Sequence, residues 1–390
     1  MRGPTAPITL AVLGSTGSIG EQTLDVASRE HGRLAILALA AGRSLEKLAL
    51  QCERWQPAFV ALEAAADEPS ARERLRAAAP DAEILIGPGS AAALAASCES
   101  DMVVNGIVGA AGLASSLAAL DRGARLALAN KETLVIGSAL VERSLEQSGG
   151  SMLPIDSEHS AALQCLQGRP AAEVHRLTLT ASGGPLRLHP NWRGASREEV
   201  LAHPVWAMGA RITTDSATMV NKGLEILEAR ALFGLEWSQL DAVIHPQAVF
   251  HALASFRDGS MIAQAAHADM RLPIQLALSW PERWGQAVQP IEPAELASLT
   301  FEPIDEARYP AYGLVLAAGR AGGTAPCAIN AADEVAVQAF LEGAITLGEL
   351  PELLERVLVS HVVQPVESYE QLLDVDRLAR QAMHAEIAKR

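Results

Sequence analysis

Asp156 and Glu158 stand where an apolar run, Met152-Leu153-Pro154-Ile155, ends in charge as Asp156-Ser157-Glu158-His159. On an extended backbone, side chains at i and i+2 point to the same side, so two carboxylates would aim at one spot. Carboxylates that close repel, and one of them must bind a proton, a basic partner or a metal ion. One reading is half of a hard-cation site. The other is a solvated strand end with a helix N-cap, a position that acidic residues favour. A second polar run, Thr213 to Glu225, offers Ser216, Asn221 and Lys222 as donors to a phosphate. It also offers Glu225 as a third carboxylate, in the first turn of a helix expected after Lys222 with Leu224, Leu227 and Leu232 on its buried side.

Other stretches suit anions. Gly14-Ser15-Thr16-Gly17-Ser18-Ile19-Gly20 follows the apolar run Ile8–Leu13 and precedes a helix expected from about Glu21 to Arg29. Strand, glycine-rich turn and helix N-terminus together present backbone N–H groups to a phosphate; a tight turn without a ligand is the alternative. A second strand, Leu34 to Ala41, ends in Gly42-Arg43-Ser44. NAD enzymes place an acid there on the ribose 2′-hydroxyl. An arginine beside a serine suits a 2′-phosphate and favours NADP; a surface arginine before an N-cap serine is the plainer reading. Ala181-Ser182-Gly183-Gly184-Pro185 reads as an anion-binding nest or a plain turn. His203-Pro204-Val205-Trp206-Ala207-Met208-Gly209 reads as a lid, or as a loop whose Trp206 packs on the core.

These residues need a scaffold. Apolar runs at Phe59–Leu62, Glu83–Ile86, Met102–Asn105 and Arg125–Ala129 alternate with helical patterns at Ser44–Trp55, Ser70–Ala79, Ser90–Ala96 and Leu113–Leu120. Such alternation predicts an α/β doubly wound parallel sheet. Asn105-Gly106 and Asn130-Lys131-Glu132 then fall just past strand ends, where ligands bind. Arg176–Thr180, Asp241–His245 and a hairpin, Val249–Phe256 with Ser260–Ala265 around Asp258-Gly259, predict a second, α+β region. Pro281 to Pro310 is proline-rich and reads as a linker. Helical patterns at Leu314–Arg320, Ala332–Leu341, Leu347–Val359 and Glu370–Lys389 predict a small bundle.

At 390 residues and 49% hydrophobic, the chain suits two or three domains. Its 31 basic and 46 acidic residues, a net of -15, argue against nucleic-acid or anionic-membrane partners. The four cysteines form no CxxC pair, which suits a reducing compartment and gives no zinc signature. No signal-peptide core or membrane-length apolar run is visible, so a cytoplasmic protein is expected.

Gly14–Gly20, Pro154–His159 and Asp215 to Glu225 together resemble the 1-deoxy-D-xylulose 5-phosphate reductoisomerase family. The likeness continues through Gly106–Leu113, Ala129–Glu132, Ser182–Pro185, His203–Gly209, His245-Pro246-Gln247 and Ala321–Pro326. The resemblance implies an NADPH-dependent oxidoreductase of the non-mevalonate isoprenoid route, which turns 1-deoxy-D-xylulose 5-phosphate into 2-C-methyl-D-erythritol 4-phosphate. It implies a V-shaped homodimer with a Rossmann-like NADPH domain (1–150), a central α+β catalytic and dimerisation domain (151–285), a linker (286–311) and a C-terminal helical domain (312–390). Thr16, Gly17, Ser18, Ile19, Gly42, Arg43, Ser44, Asn130, Glu132 and Gly209 would hold NADPH. Asp156, Glu158 and Glu225 would ligate Mg²⁺ or Mn²⁺, with Co²⁺ a third option. Lys131, Ser157, Glu158, Ser182, His203, Ser216, Asn221, Lys222 and Glu225 would meet the sugar phosphate, with Lys131, Glu158 and His203 carrying the chemistry. Trp206 and Met208 would form the flap. His159 would be structural.

The sequence departs from the family at Arg43-Ser44, where lysine-asparagine is usual, and at Val205, where asparagine is common. Three carboxylates without cysteine or histidine favour a hard divalent ion over zinc. Such an ion would polarise the substrate's carbonyl for a retro-aldol/aldol rearrangement, and NADPH would reduce the resulting aldehyde. Two competitors remain open at this point. A semialdehyde or homoserine dehydrogenase would need a catalytic cysteine or lysine arrangement, and an NADP-sensing regulator would need no carboxylate trio.

Overall fold

The computed structural model describes residues 6–30, 32–206, 208–285 and 287–389. In chain order the first elements are β1 (Ile8–Leu13), α1 (Ser18–Arg29), β2 (Leu34–Ala41), α2 (Leu45–Trp55), β3 (Phe59–Leu62), α3 (Glu68–Ala78), β4 (Glu83–Ile86) and α4 (Ser90–Ser97). Next come β5 (Met102–Asn105), α5 (Gly112–Asp121), β6 (Arg125–Leu128), α6 (Glu132–Ser148), β7 (Ser151–Pro154) and α7 (Ser157–Leu166). Then follow β8 (Val174–Ala181), α8 (Arg197–Leu201), α9 (Ala210–Thr218), α10 (Val220–Phe233), β9 (Leu240–Ile244), β10 (Phe250–Phe256), β11 (Met261–Ala265) and α11 (Arg271–Ser279). The last are β12 (Glu302–Pro303), α12 (Pro310–Ala321), α13 (Ala325–Leu341), α14 (Leu350–Ser360) and α15 (Tyr369–Ala388).

The chain divides into two compact units. One comprises residues up to Thr133, Ala139–Ser160 and Asp269–Gln289; the other comprises Leu134–Ser138, Ala161–Ala268 and the chain from Pro290. The first unit holds a seven-stranded sheet in the order β4-β3-β2-β1-β5-β6-β7. Every pairing in it is parallel. Leu10, Ala11, Val12 and Leu13 are fully buried, as expected of a strand covered on both faces. The strand order reverses at β1, between β2 and β5, and in such sheets ligands bind at the carboxyl ends of the strands around that reversal. The turns after β1 and β5 meet there, because Gly106 N donates to Leu13 O at 2.9 Å.

The second unit holds a five-stranded sheet in the order β11-β10-β8-β9-β12. β8 and β9 are parallel, and the β10–β11 hairpin is antiparallel. Ser260 N donates to Asp258 Oδ1 at 2.9 Å in its turn, and Gly259 takes a φ of 89°. The helices α12 to α15 are C-terminal; α13 buries small residues such as Ala328, Ala331 and Ala332, which let its neighbours approach closely. No helix among the described residues is long and apolar enough to cross a membrane.

Two local expectations, the extended segment holding Asp156 and Glu158 and the start of the helix after Lys222, need correction, and two further features were not anticipated. Asp156 and Glu158 do not share an extended segment: β7 stops at Pro154 and α7 starts at Ser157. Asp156 caps that helix, its Oδ1 accepting from Glu158 N at 3.4 Å and its carbonyl from Ser160 N at 2.8 Å. The acid therefore does at the helix start what acids do best there, and this local bond overrides the strand pattern. Residues 210–218 form α9, although serines and threonines favour turns; the Thr213 and Thr214 hydroxyls bond back to the carbonyls of Gly209 and Ala210 at 3.0 and 2.9 Å. α10 then starts at Val220, so Asn221 and Lys222 lie within its first turn rather than ahead of it. Residues 286–311 divide between the two units at 289/290, and β12 within them joins a sheet by pairing with β9. A proline-rich run shows no periodicity by which that pairing could be read.

Candidate active site

At the first turn of the parallel sheet, Gly14 adopts a φ of +75°, and a Cβ there would lie 2.7 Å from Gly106 O. A Cβ on Gly20 would lie 2.4 Å from Gly14 O. These two glycines are thus demanded by packing, and they bring the chain tightly round into α1. Gly17 is the N-cap of α1 and makes no side-chain cap bond. Gly17 and Ser18 are exposed, with Thr16 and Ile19 half-buried beside them. A helix N-terminus without a side-chain cap, at the carboxyl edge of a parallel sheet, fits a pyrophosphate. Ser15 is already committed, donating to Gln51 Oε1 at 2.7 Å. Gly42, Arg43 and Ser44 are exposed past β2, and Ser44 at the N-cap of α2 makes no side-chain cap bond.

Asn130 is a scaffold residue. Its Nδ2 donates to the carbonyls of Ile107 and Gly109 at 2.8 and 2.9 Å and to Glu132 Oε2 at 2.9 Å. Its Oδ1 accepts from Thr133 N and Oγ1 at 3.0 and 2.6 Å. Asn130 and Glu132 therefore hold the Gly106–Gly112 loop against the start of α6. Next to them, Lys131 Nζ lies 3.3 Å from Asp156 Oδ2. The Ser157 hydroxyl donates to Glu158 Oε2 at 2.5 Å. His159 is fully buried, with Nδ1 3.9 Å from Asp156 Oδ1. Lysine, two carboxylates and a serine thus gather at the start of α7, within the first unit.

In the second unit, Ser182 follows β8 and meets His203, Oγ to Nε2, at 3.1 Å. His203 Nδ1 accepts from the N–H groups of Val205 and Trp206 at 3.2 and 2.9 Å. The ring proton therefore sits on Nε2 and donates to Ser182. Burial lowers the His203 pKa below its usual value, which favours this neutral form. Gly184 N also donates to Ser182 Oγ, at 3.1 Å. With both lone pairs taken, the Ser182 hydroxyl has its own proton to offer. A Cβ on Gly184 would lie 2.5 Å from Ser216 O, so the turn after β8 rests against the end of α9 and brings Ser182 and Ser216 together.

On α10, the Asn221 amide and the Lys222 ammonium both donate to the Glu225 carboxylate. Glu225 is buried, one turn of helix from the residues that hold it. Gly209 is the exposed N-cap of α9. Trp206 and Met208 are half-buried, and the Trp206 ring tilts over His251 at 6.3 Å; Ala207 lies outside the described residues. In the first turn of α9, Arg211 reaches Glu334 on α13 at 2.8 Å and Asn330 at 3.0 Å. Beside that arginine Asp333 is buried, and desolvation, with the Asp215 carboxylate nearby, pushes its pKa well up. Pattern reading missed this group, because its two halves, residues 211–215 and 330–334, lie more than a hundred positions apart.

The cysteines offer no nucleophile. Burial pushes the Cys52 and Cys327 thiols up to about 12 and the Cys165 thiol to about 11. Thiolates react, and these stay thiols at neutral pH.

Profiles of the 1-deoxy-D-xylulose 5-phosphate reductoisomerase family match residues 10–138, and its C-terminal domain profiles match residues 152–233 and 266–382. The reductoisomerase of Moorella thermoacetica is 47% identical over 376 residues, 95% of this chain and 96% of that one. The chain belongs to this family. The family enzyme of Anaeromyxobacter dehalogenans is 44% identical over 383 residues, 98% of this chain and 97% of its own. Among solved family structures, the Zymomonas mobilis enzyme in complex with NADPH superposes with a TM-score of 0.91 at 34% identity, covering 98% of this chain and 99% of that one. A reductoisomerase in complex with NADPH, fosmidomycin and magnesium also gives 0.91, at 36% identity and 98% of each chain.

Proposed function

We propose that this chain converts 1-deoxy-D-xylulose 5-phosphate into 2-C-methyl-D-erythritol 4-phosphate, with NADPH as reductant and Mg²⁺ or Mn²⁺ as the metal, in isoprenoid biosynthesis. The observation that carries the reading is family membership over nearly the whole chain, joined to a full complement of the expected side chains. The test is incubation with that substrate, NADPH and Mg²⁺, followed by identification of the product. Equimolar NADPH loss and methylerythritol phosphate are expected; either one without the other refutes it.

The residues fit the groups. Asp156, Glu158 and Glu225 would hold the ion: all donors are oxygen, the set a hard cation takes. The bound ion supplies Lewis-acid polarisation of the substrate's oxygens, and NADPH supplies hydride. Thr16, Gly17, Ser18 and Ile19 would meet the pyrophosphate at the start of α1, and Arg43 with Ser44 the 2′-phosphate. Asn130 and Glu132 would act by shaping the loop beside the nicotinamide end, and Gly209 would complete the site. Lys131 holds its ammonium beside Asp156, where it can donate to a substrate oxygen. Ser157 fixes the rotamer of Glu158. Ser182, Ser216, Asn221 and Lys222 would bind the phosphate, and His203 would act at the same end by orienting the Ser182 hydroxyl through its Nε2–H.

Residues 1–150 would form the NADPH domain, 151–285 the catalytic and dimerisation domain, and 312–390 the helical domain. A homodimer is supported by β11, an edge strand that leaves Met261 59% and Ile262 38% exposed. Four free cysteines suit a cytoplasmic setting.

Two outcomes are expected from this reading. Wild type should prefer NADPH to NADH, and Arg43→Asp should cut the ratio of kcat/KM values by about 10- to 100-fold, the worth of one charge-assisted phosphate contact plus the new repulsion. Equal use of both cofactors by the wild type would refute the 2′-phosphate assignment. Residues 203–209 should become resistant to protease when Mg²⁺ and a phosphonate substrate analogue are added. Cleavage unchanged by ligand would leave Trp206 as packing against His251 alone.

A further inference from the structure

We propose that Tyr309 is a positioning residue for the phosphate end of the substrate: its hydroxyl sets the Gly183–Gly184 peptide plane and, through it, the direction in which Ser182 donates. This rests on the reading that Ser182 meets the phosphate. Tyr309 lies in the proline-rich segment that carries no chemistry by pattern, and it is buried. Its hydroxyl donates to Gly183 O at 3.1 Å. The Gly183 carbonyl and the Gly184 N–H belong to one peptide unit, and that N–H donates to Ser182 Oγ. Tyrosine, peptide and serine thus form one chain of hydrogen bonds, met at Ser182 by His203 Nε2.

The peptide needs such a restraint. Gly183 and Gly184 take φ values of +83° and +70°, and two glycines in succession leave the plane between them free to turn over. The neighbours of Tyr309 tighten the same grip. Arg308 donates to the carbonyls of Leu186 and His189, and Glu302 pairs with Arg187 at 2.7 Å. Segment 302–309 therefore clamps segment 183–189 at both ends. Burial raises the Tyr309 pKa, so the hydroxyl stays a donor throughout the neutral range. Tyr309→Phe keeps the ring and removes only the restraint. Once the peptide turns, Ser182 loses the Gly184 donor, and its own proton is no longer directed outward.

The experiment is a double-mutant cycle of Tyr309→Phe and Ser182→Ala with Mg²⁺ and NADPH present. It reads kcat, the KM for 1-deoxy-D-xylulose 5-phosphate, the Ki of inorganic phosphate and the NADPH Kd. Tyr309→Phe should raise KM and the phosphate Ki about five- to twentyfold, with kcat within about twofold and NADPH binding unchanged. In the Ser182→Ala background the same change should add nothing. If Ser182→Ala raises KM while Tyr309→Phe leaves it alone, or if the two effects add, the role of Tyr309 is refuted. If Ser182→Ala itself is silent, the phosphate reading falls instead. Hydrogen exchange at the Gly184 amide of the native enzyme gives a second readout should Tyr309→Phe be insoluble. Protection there should rise with inorganic phosphate; unchanged protection refutes the proposal.

Discussion

Glu225→Gln should abolish turnover, lowering kcat/KM on the order of 10³-fold or more, while NADPH binds as in the wild type. The carboxylate is buried, and both of its oxygens are engaged by Asn221 and Lys222. Glutamine keeps the shape and removes the charge. On the proposed assignment a hard divalent ion would lose one of three anionic oxygen ligands, and the Lys222 ammonium would lose a carboxylate it donates to. Metal titration followed by calorimetry should show the weakened site directly. Reduction of a supplied aldehyde intermediate should fail too if, as proposed, the same ion would hold substrate for both steps. A variant that titrates Mn²⁺ like the wild type, or that keeps its activity, would contradict the ligand assignment.

Lys222→Ala should weaken the phosphorylated substrate by roughly 1.5–3 kcal/mol, or about 10- to 150-fold, the loss of a charge-assisted contact to a dianion. Lys222 is only 4% exposed, so the change also removes a buried ammonium that donates to Glu225. Stability should fall by about 3–5 kcal/mol, as when one partner of a buried pair is removed. If Glu225 is a metal ligand, saturating Mg²⁺ should restore part of that loss, since an ion that binds only the folded form stabilises it. Calorimetry of substrate and of NADPH, with thermal unfolding at two Mg²⁺ concentrations, checks all of this. A fall in NADPH affinity with substrate affinity intact would show that Lys222 serves the cofactor.

The alternating apolar runs of the first unit were readable because buried parallel strands are short, continuous and punctuated by glycine; β1 to β6 lie within a residue of their expected bounds. The residues proposed for the site stood out in the sequence for a different reason. Carboxylates, lysines and serines clustered beside glycine turns have few structural uses, and their order along the chain matches one family. Three kinds of information were not in the pattern. Asp156 caps a helix rather than ending a strand, because one local hydrogen bond outweighs a periodicity of two. α9 forms from serine and threonine residues whose propensities point to a turn, once their hydroxyls bond back to the backbone. The contacts of Tyr309 and Arg308 with residues 183–189 join positions more than a hundred residues apart, and neither has a local signature.

The most direct test is anomalous scattering from crystals grown with Mn²⁺, NADPH and a phosphonate substrate analogue. One manganese peak per chain is expected, bonded to carboxylate oxygens of Asp156, Glu158 and Glu225 at about 2.0–2.3 Å and to the analogue. A manganese peak held by other residues, or none at a concentration that supports turnover, would contradict the metal site on which the proposed chemistry depends.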